Sequence, residues 1–442
     1  MVSRTLNSEL RTPKLTRLIP ALLDWFAANA RDLPWRRTCD PYPVWVSEIM
    51  LQQTQVKTVI PYWERWLREL PTIKAAAKAS PDKIHKLWEG LGYYSRARNL
   101  QKAARQIMEK HEGKFPENFD GVLALPGIGR YTAGAICSIA FNQPTPILDG
   151  NVIRVLTRIF GISQNPKEKE TNARLWKLAE ELVATAAKHH TTRSNRHEEA
   201  HSEIGISQSL LTPAAAMTGN CSALNQSLME LGALVCTPRN PQCGLCPVKK
   251  LCVAFRENRV NDLPNLGQRE AATARHFVAF VVERNGHFLI RQRPAGVVNA
   301  HLWEFPNVEI GARLSEPQHA RLRNGNGEIP ATKAIRTRCG SGDAHSESVA
   351  NAATQALGFT PAKVAPLCTI KHSITRYRIT LEAFRARLGG RSSTTTQLMV
   401  AGGVRPSETG VWKTPAQMRE LAFSSAHKKL ASAAFNCILS DR

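Results

Sequence analysis

Four cysteines near the middle of the chain have the spacing that most directly indicates chemistry. Cys236, Cys243, Cys246 and Cys252 follow the pattern C-x6-C-x2-C-x5-C. Four thiolates so close together can enclose one compact site, and a loop rich in proline and glycine needs a metal to hold it. Zinc also accepts four thiolates, usually from two C-x2-C pairs, but this segment contains only one such pair. The spacing therefore predicts a metal centre and differs from that of a zinc ribbon.

Two carboxylates could supply acid–base chemistry, although each also has an ordinary structural explanation. Asp149 stands where a loop enters a helix and could be the N-cap of that helix. Glu48, in Val46-Ser-Glu-Ile-Met-Leu-Gln-Gln-Thr-Gln-Val56, lies off the apolar stripe of its predicted helix, where a solvated glutamate is the default. Two carboxylates in different environments are also the pattern of glycosidases. The residues alone leave both explanations open.

The elements that must position these residues change in kind along the chain. Apolar residues keep helical spacing from about residue 15 to 255, and the polar, histidine-rich stretch 188–218 predicts a solvated loop insertion. Beyond it, residues 276–283 and 287–292 flank Asn285-Gly286 and predict a strand, a turn and a strand, and residues 377–384 alternate like a further strand. We therefore predict an all-α domain at 15–256, a linker at 257–275 and an α+β domain at 276–442.

A glycine-containing turn between two predicted helices is a candidate phosphate site. Leu125-Pro-Gly-Ile-Gly-Arg-Tyr131 follows one helix and opens another. Gly127 and Gly129 permit a tight turn whose backbone N–H groups are exposed at a helix N-terminus, and such amides bind phosphate. Ordinary turns between helices use glycine too, so this signal is weak when taken alone.

Composition indicates the class of partner. The chain has 59 Lys and Arg against 36 Asp and Glu, a net charge of +23, which favours a polyanion such as nucleic acid. The sequence has no run of some twenty apolar residues that would predict a membrane helix, and its polar beginning does not predict a secretory signal. We expect a monomer in the cytoplasm, associated with the bacterial nucleoid, while a mitochondrial or nuclear location stays open.

Taken together, these motifs resemble the superfamily of endonuclease III and MutY, and within it the MutY family of adenine DNA glycosylases. The resemblance rests on the cysteine spacing, the segment 225–236, the helix-hairpin-helix at 125–136, Leu148-Asp-Gly-Asn151 and Ser47-Glu-Ile-Met-Leu-Gln-Gln-Thr54. It implies that the four cysteines hold a structural [4Fe-4S] cluster. The cluster would position a basic DNA-contacting loop with Arg239, Lys249 and Lys250.

The resemblance also implies roles for individual residues. Glu48 would protonate N7 of adenine, Asp149 would stabilise the oxocarbenium-like transition state, and Asn151 would assist it. Tyr131 stands where related lyases carry the lysine that forms a Schiff base, so base removal without efficient strand cleavage is expected. The other implied contacts are Trp35, Arg36 and Gln226 in the adenine pocket, Gln53 and Tyr93 inside the duplex, Leu51 and Thr54 near the opposite base, and Gly127 and Gly129 at a phosphate.

The C-terminal domain resembles the Nudix-like domain that recognises 8-oxoguanine in the MutY family. Residues 288–295 and 301–306 carry the resemblance, and the run of glutamates that a Nudix hydrolase needs for Mg²⁺ is missing from the sequence. The recognition loop corresponds to residues 371–377. Ile374 and Thr375 fit its pattern, but Arg376 replaces the usual histidine. Arginine can still donate to N7 or O6 of a guanine-like base.

The predicted function is therefore removal of adenine from A:8-oxoguanine or A:G mispairs in double-stranded DNA by a monofunctional glycosylase. One alternative is an endonuclease III-like glycosylase/lyase for damaged pyrimidines, against which Tyr131 and the C-terminal domain argue. Another is a non-catalytic iron–sulfur DNA-binding protein, which would need neither Glu48 nor Asp149.

Overall fold

The computed structural model describes residues 8–189, 219–268, 271–310, 342–374, 376–388 and 410–440. These residues form two compact units. The first contains residues 8–87 and 95–268, and the second contains residues 88–94 and 271–440. In the described part of the chain, no helix is long and apolar enough to cross a membrane.

The first unit is helical. Its helices are α1 (Ser8–Asn29), α2 (Pro41–Leu51), α3 (Val56–Glu69), α4 (Ile73–Lys78), α5 (Pro81–Leu87), α6 (Ser95–Lys110), α7 (Phe119–Leu123), α8 (Arg130–Phe141), α9 (Gly150–Phe160), α10 (Lys169–Lys188), α11 (Asn220–Leu234) and α12 (Val253–Arg256). Short 3₁₀ turns occur at Pro34–Arg36, Cys243–Leu245 and Lys249–Leu251.

Helix α11 lies at the centre of this unit because it packs against α1, α8, α9 and α10. Leu224, Leu228 and Leu231 of α11 join a buried apolar cluster with side chains of α1, α9 and α10. Burial of this kind contributes about 1.5–3 kcal/mol for each large aliphatic side chain. The cluster fixes α9 and α11 against α1 and α10.

The second unit is a mixed α/β layer structure. Its strands are β1 (Thr273–Arg284), β2 (His287–Gln292), β3 (Trp303–Glu304), β4 (Asn307–Ile310), β5 (Lys363–Ile374), β6 (Tyr377–Arg387) and β7 (Val411–Lys413), and its helices are α13 (Gly342–Leu357), α14 (Pro415–Arg419) and α15 (Ser425–Ser440). The strand order is β3-β2-β1-β6-β5, with β1 and β6 parallel, while β4 pairs with β1 and β7 with β2.

Alternation along β1 gives this sheet two apolar faces. Ala279 and Val281 pack with Leu430 of α15, whereas Phe280 and Val282 pack with Ala353 of α13. Successive side chains of a strand point to opposite faces, so one strand serves both layers. Residues 88–94 group with this unit, since Phe423 N and Lys428 Nζ donate to the Glu89 carboxylate at 3.1 and 2.8 Å.

Several element boundaries differ from the sequence-based expectation. Helix α1 begins at Ser8 rather than near residue 15, and β1 begins at Thr273, inside the predicted linker. The predicted strand at 287–292 agrees with β2, and Asn285 and Gly286 both have positive φ, as a tight hairpin turn requires. Of the predicted insertion at 188–218, residues 190–218 lie outside the described residues.

Candidate active site and cluster loop

Glu48 lies in the middle of α2, a helix that is buried on nearly all sides. The side chains from Val44 to Met50 are all buried, and Glu48 itself is only 5% exposed. Burial raises the pKa of Glu48 to about 7, and the nearby carboxylate of Asp149 adds to the rise. The Tyr131 hydroxyl and the Arg36 guanidinium oppose it. Near neutral pH this carboxyl group can therefore carry a proton and give it up.

Tyr131, in the first turn of α8, contacts Glu48 directly. Its hydroxyl lies 3.2 Å from Glu48 Oε2, to which it donates, and 3.2 Å from Met229 Sδ. Burial and the two nearby carboxylates raise the pKa of Tyr131 well above its usual value, so the phenol stays neutral. Because Asp149 acts electrostatically on both Glu48 and Tyr131, these three predicted residues form one group.

Asp149 is held by hydrogen bonds at the start of α9. Its Oδ1 accepts from Val152 N at 2.7 Å, and its Oδ2 accepts from Asn151 Nδ2 at 3.0 Å. Burial raises the pKa of Asp149, whereas these donors and Arg154 favour its charged form. The structural explanation of Asp149 as an N-cap is therefore correct, and the cap leaves the same carboxylate beside Glu48.

Arg154 connects this carboxylate group to the cysteine loop. Its Nη2 donates to Asn151 Oδ1 and to Gly232 O, both at 2.8 Å, and its Nε donates to Cys236 O at 2.7 Å. One guanidinium thus fixes the amide that contacts Asp149 and the backbone of the first cysteine. Helix α9 supplies Asn151 and Arg154, and the segment after α11 supplies Cys236.

Arg36, which acts electrostatically on Glu48, contacts Gln226. Arg36 Nε donates to Gln226 Oε1 at 2.9 Å, and its guanidinium forms a salt bridge with Glu230. Arg31 donates to the same carboxylate. Trp35 is buried edge-on against Trp63, with ring centroids 6.0 Å apart, so it belongs to the core at this point.

The end of α2 and the turn after it carry three of the predicted DNA contacts. Gln53 is exposed and has a φ of 56°, while Leu51 and Thr54 are half-buried. Arg96 Nη1 donates to the backbone oxygens of Ile49 and Gln52, and Arg96 Nη2 donates to Thr54 Oγ1. The buried guanidinium therefore satisfies carbonyls at the end of α2 and holds the turn that presents Gln53.

The two glycines of the predicted hairpin do not contribute equally. Gly127 has a φ of 80°, and a Cβ there would lie 2.6 Å from Asn99 Cβ, so only glycine fits without strain. Gly129 is extended (φ −99°, ψ 174°) as the N-cap of α8, and an added Cβ would meet nothing. The backbone therefore requires glycine at position 127 and does not require it at position 129, while the phosphate contact expected of both residues stays a prediction. Tyr93 is exposed with a φ of 47° in the segment 88–94 of the second unit.

The four predicted cysteines line one cavity. Its wall also contains Val155, Ile159 and Arg158, whose Nη1 lies 3.3 Å from Cys236 Sγ. Burial raises the pKa of Cys246 to about 12 and also raises those of Cys243 and Cys252. Buried thiols become ligands only when a metal displaces their protons, so this thiol-lined cavity suits a cluster that neutralises several thiolates at once.

Comparison with known proteins bears on this arrangement. Residues 46–181 match the HhH-GPD superfamily of base excision DNA repair proteins, residues 236–252 the iron-sulfur binding domain of endonuclease III, and residues 277–433 the NUDIX domain. The adenine DNA glycosylase of Rattus norvegicus is 32% identical over 92% of this chain and 76% of its own length. The chain belongs to the adenine DNA glycosylase family. The expected helix-hairpin-helix fold, Nudix-like domain and [4Fe-4S] cluster are thereby confirmed.

Two further similarities concern parts of this family member. The adenine DNA glycosylase of Arabidopsis thaliana is 39% identical over 72% of the chain, which spans about half, 51%, of that relative's length. A solved structure of a thermostable thymine-DNA glycosylase has 27% identity and a TM-score of 0.45, and it covers 56% of this chain and 99% of its own.

The loop that the sequence predicts to read the opposite base lies between the two strands of a hairpin. Strand β5 ends at Ile374, which pairs with Tyr377 at the start of the antiparallel strand β6. The Arg376 guanidinium lies 5.4 Å from the centre of the Tyr377 ring. Thr375 lies outside the described residues. The hairpin presents Arg376 at its end.

Sequence reasoning missed three residues that this geometry makes prominent: Arg31, Arg96 and Glu230. Glu230 was visible as the one charged residue of the helix Asn220–Leu234, one turn after Gln226. No pattern in the sequence signals the two arginines, because their partners are distant along the chain.

Proposed function

We propose that this protein is an adenine DNA glycosylase that removes adenine opposite 8-oxoguanine during base excision repair. The observation that carries the proposal is the buried Glu48 carboxyl group, with a pKa raised to about 7, beside the capped carboxylate of Asp149. A proton donor and a negative charge in one water-poor site are what the departure of an adenine requires.

The proposed reaction begins with a nucleotide extruded from the duplex. Glu48 gives its proton to N7 of adenine, so that the electrons of the breaking N-glycosidic bond pass to a base that leaves neutral. The Asp149 carboxylate stabilises the positive charge left on the sugar until water adds to C1′ and releases a proton. Asn151 keeps the carboxylate in place through the 3.0 Å hydrogen bond.

The protein's other groups have supporting tasks in this proposal. Arg36 and Gln226 bind the adenine, and Gln53 and Tyr93 fill the space that the base leaves. The [4Fe-4S] cluster holds the loop that carries Arg239, Lys249 and Lys250 against the phosphates. Arg376 donates to the Hoogsteen edge of the opposite 8-oxoguanine. We propose that the protein acts as a monomer.

The decisive experiment is single-turnover excision from a duplex with one A:8-oxoguanine pair, quenched with and without alkali. Release of adenine with strand breakage only after alkali supports the proposal, because Tyr131 cannot form an imine. Asp149→Asn is the most informative variant, since asparagine is an equally good N-cap but has no charge. We expect it to bind the duplex and not to excise. Undiminished excision by Asp149→Asn, or strand cleavage at the rate of base release, would contradict the mechanism.

The opposite-base proposal has its own test. Excision opposite 8-oxoguanine should be faster than excision opposite guanine, and Arg376→Ala should reduce that ratio. The exposed Arg378 of β6 provides a matched Arg378→Ala control on the same strand. Equal rates opposite the two bases in the unsubstituted protein would remove Arg376 from this role.

A further inference from the structure

Glu230 is a buried carboxylate to which two arginines donate. It lies on α11 with 1% exposure. Its Oε1 accepts from Arg31 N at 3.0 Å and Arg31 Nε at 2.7 Å, and its Oε2 accepts from Arg31 Nη2 at 2.7 Å and Arg36 Nη2 at 3.0 Å. Arg36 Nη1 adds a fifth contact at 3.2 Å. These donors lower the pKa of Glu230 to about 2 against the effect of burial, so it is a permanent negative charge.

The two arginines differ in what else they can reach. The Arg31 side chain is about a third exposed, whereas that of Arg36 is buried and acts electrostatically on Glu48. Of the two guanidinium groups, it is therefore that of Arg36 that lowers the pKa of Glu48, the proposed proton donor. Glu230 and Gln226, one turn apart on α11, both accept hydrogen bonds from this guanidinium.

We infer that Glu230 is a positioning residue, which fixes the Arg36 guanidinium at two points and balances its charge so that Glu48 stays protonated. Without Glu230, the buried Arg36 guanidinium would keep its positive charge and its electrostatic effect on Glu48, but no carboxylate would balance it. Coulomb attraction between buried charges would then favour the ionised form of Glu48 and remove the proton that the reaction uses. This inference rests on the proposed role of Glu48 as the acid.

The other charged or titratable groups around Glu48 are fixed by separate contacts. Tyr131 approaches from α8 and Asp149 from the start of α9, and both have partners that do not involve Glu230. Arg96 of α6 donates to backbone oxygens at the end of α2. Replacing Glu230 therefore changes the charge that balances Arg36 and leaves these contacts of Tyr131, Asp149 and Arg96 in place.

The test is the pH dependence of single-turnover adenine release by Glu230→Gln in the full chain. Release depends on the protonated acid, so its rate falls as pH rises through the pKa of Glu48, and a lower pKa moves this fall to lower pH. We expect the midpoint to move down by about half to one pH unit, which is about a 3- to 10-fold loss above the midpoint. The rate at low pH should change much less.

Arg31→Gln is the matched control, because it removes a partner of Glu230 that is partly in water. It leaves the pair of Glu230 with Arg36 intact, so the midpoint should stay in place or move upward. A uniform loss of rate in Glu230→Gln without a midpoint shift would mean a merely structural role and would overturn the inference. A downward shift in Arg31→Gln equal to that of Glu230→Gln would do the same.

A second variant keeps the inference testable should Glu230→Gln unfold, as a thermal melt would reveal. Arg36→Lys keeps the positive charge but cannot contact both carboxylate oxygens in the plane of a guanidinium. Its midpoint should also move downward, and an unchanged midpoint would refute the idea of fixation. Glu48→Gln separates the two hypotheses. If this variant excises adenine normally, Glu48 is not the acid and the proposed function fails. If it is inactive but the pH midpoint of Glu230→Gln does not shift, only the inference about Glu230 fails.

Discussion

Ionisation of the buried Glu48 should lower the stability of the folded protein near and above neutral pH. Its carboxyl group is buried at 5% exposure, and burial raises its pKa from 4.5 to about 7. A folded state that binds a proton more tightly than the unfolded chain becomes less stable as pH rises between the two pKa values. Replacing Glu48 by glutamine removes this dependence. We therefore predict that Glu48→Gln abolishes excision and stabilises the protein at alkaline pH.

The magnitude follows from the size of the pKa shift. The difference between 4.5 and about 7 corresponds to about 3 kcal/mol, at about 1.4 kcal/mol per pKa unit. The penalty is absent below the unfolded pKa and complete above the folded one. Between about pH 5 and about pH 8, the stabilisation of Glu48→Gln relative to the unsubstituted protein should therefore grow by about 2.5 kcal/mol.

Urea unfolding at both pH values, followed by circular dichroism, measures this difference. Glu109→Gln makes the same chemical change on the exposed side of α6 and corrects for the substitution itself. The prediction concerns the change with pH, so a constant effect of the glutamine on packing cancels. A difference between Glu48→Gln and the unsubstituted protein that stays the same at both pH values would refute the raised pKa and with it the proposed acid.

The remaining predictions concern neighbours of this group. Tyr131→Phe removes the hydroxyl that lowers the pKa of Glu48, so the fall of the excision rate should move to higher pH, which a pH–rate profile would detect. Arg96→Gln should lower the free energy of unfolding by about 2–3 kcal/mol in urea, because buried carbonyls lose a charged donor; an unchanged value would contradict this. Gly127→Ala should destabilise the protein by about 1–3 kcal/mol, whereas Gly129→Ala should cost under about 0.5 kcal/mol in the same assay.

Local chemistry made several parts of the structure predictable. The asparagine and glycine at 285–286 specify a tight turn whatever surrounds them, so the strands on either side could be placed. Asp149 marks the start of α9 because its side chain caps the next turn. The cysteine spacing indicates a shared site because ligands so close in sequence must meet in space.

Contacts between distant residues could not be predicted in this way. The sequence predicts one apolar stripe on α2 and, by default, a solvated Glu48. In the structure, however, neighbouring helices enclose α2 on nearly all sides and bury Glu48. The pairing of Arg31 with Glu230 joins residues that are 199 positions apart, and no local spacing encodes it. The parallel pairing of β1 with β6 depends on a long crossover, which a hairpin signal does not reveal.

The enclosure of α2 has a consequence for how the protein meets its substrate. A helix packed on nearly every side cannot swing toward a lesion, because any displacement would open voids in the interior. In the proposed reaction it is therefore the nucleotide that must move, out of the base stack and into a preformed pocket. In the proposed reaction, a base would then be selected by whether it fits a pocket whose shape is already fixed, and a base that does not fit would return to the duplex unchanged.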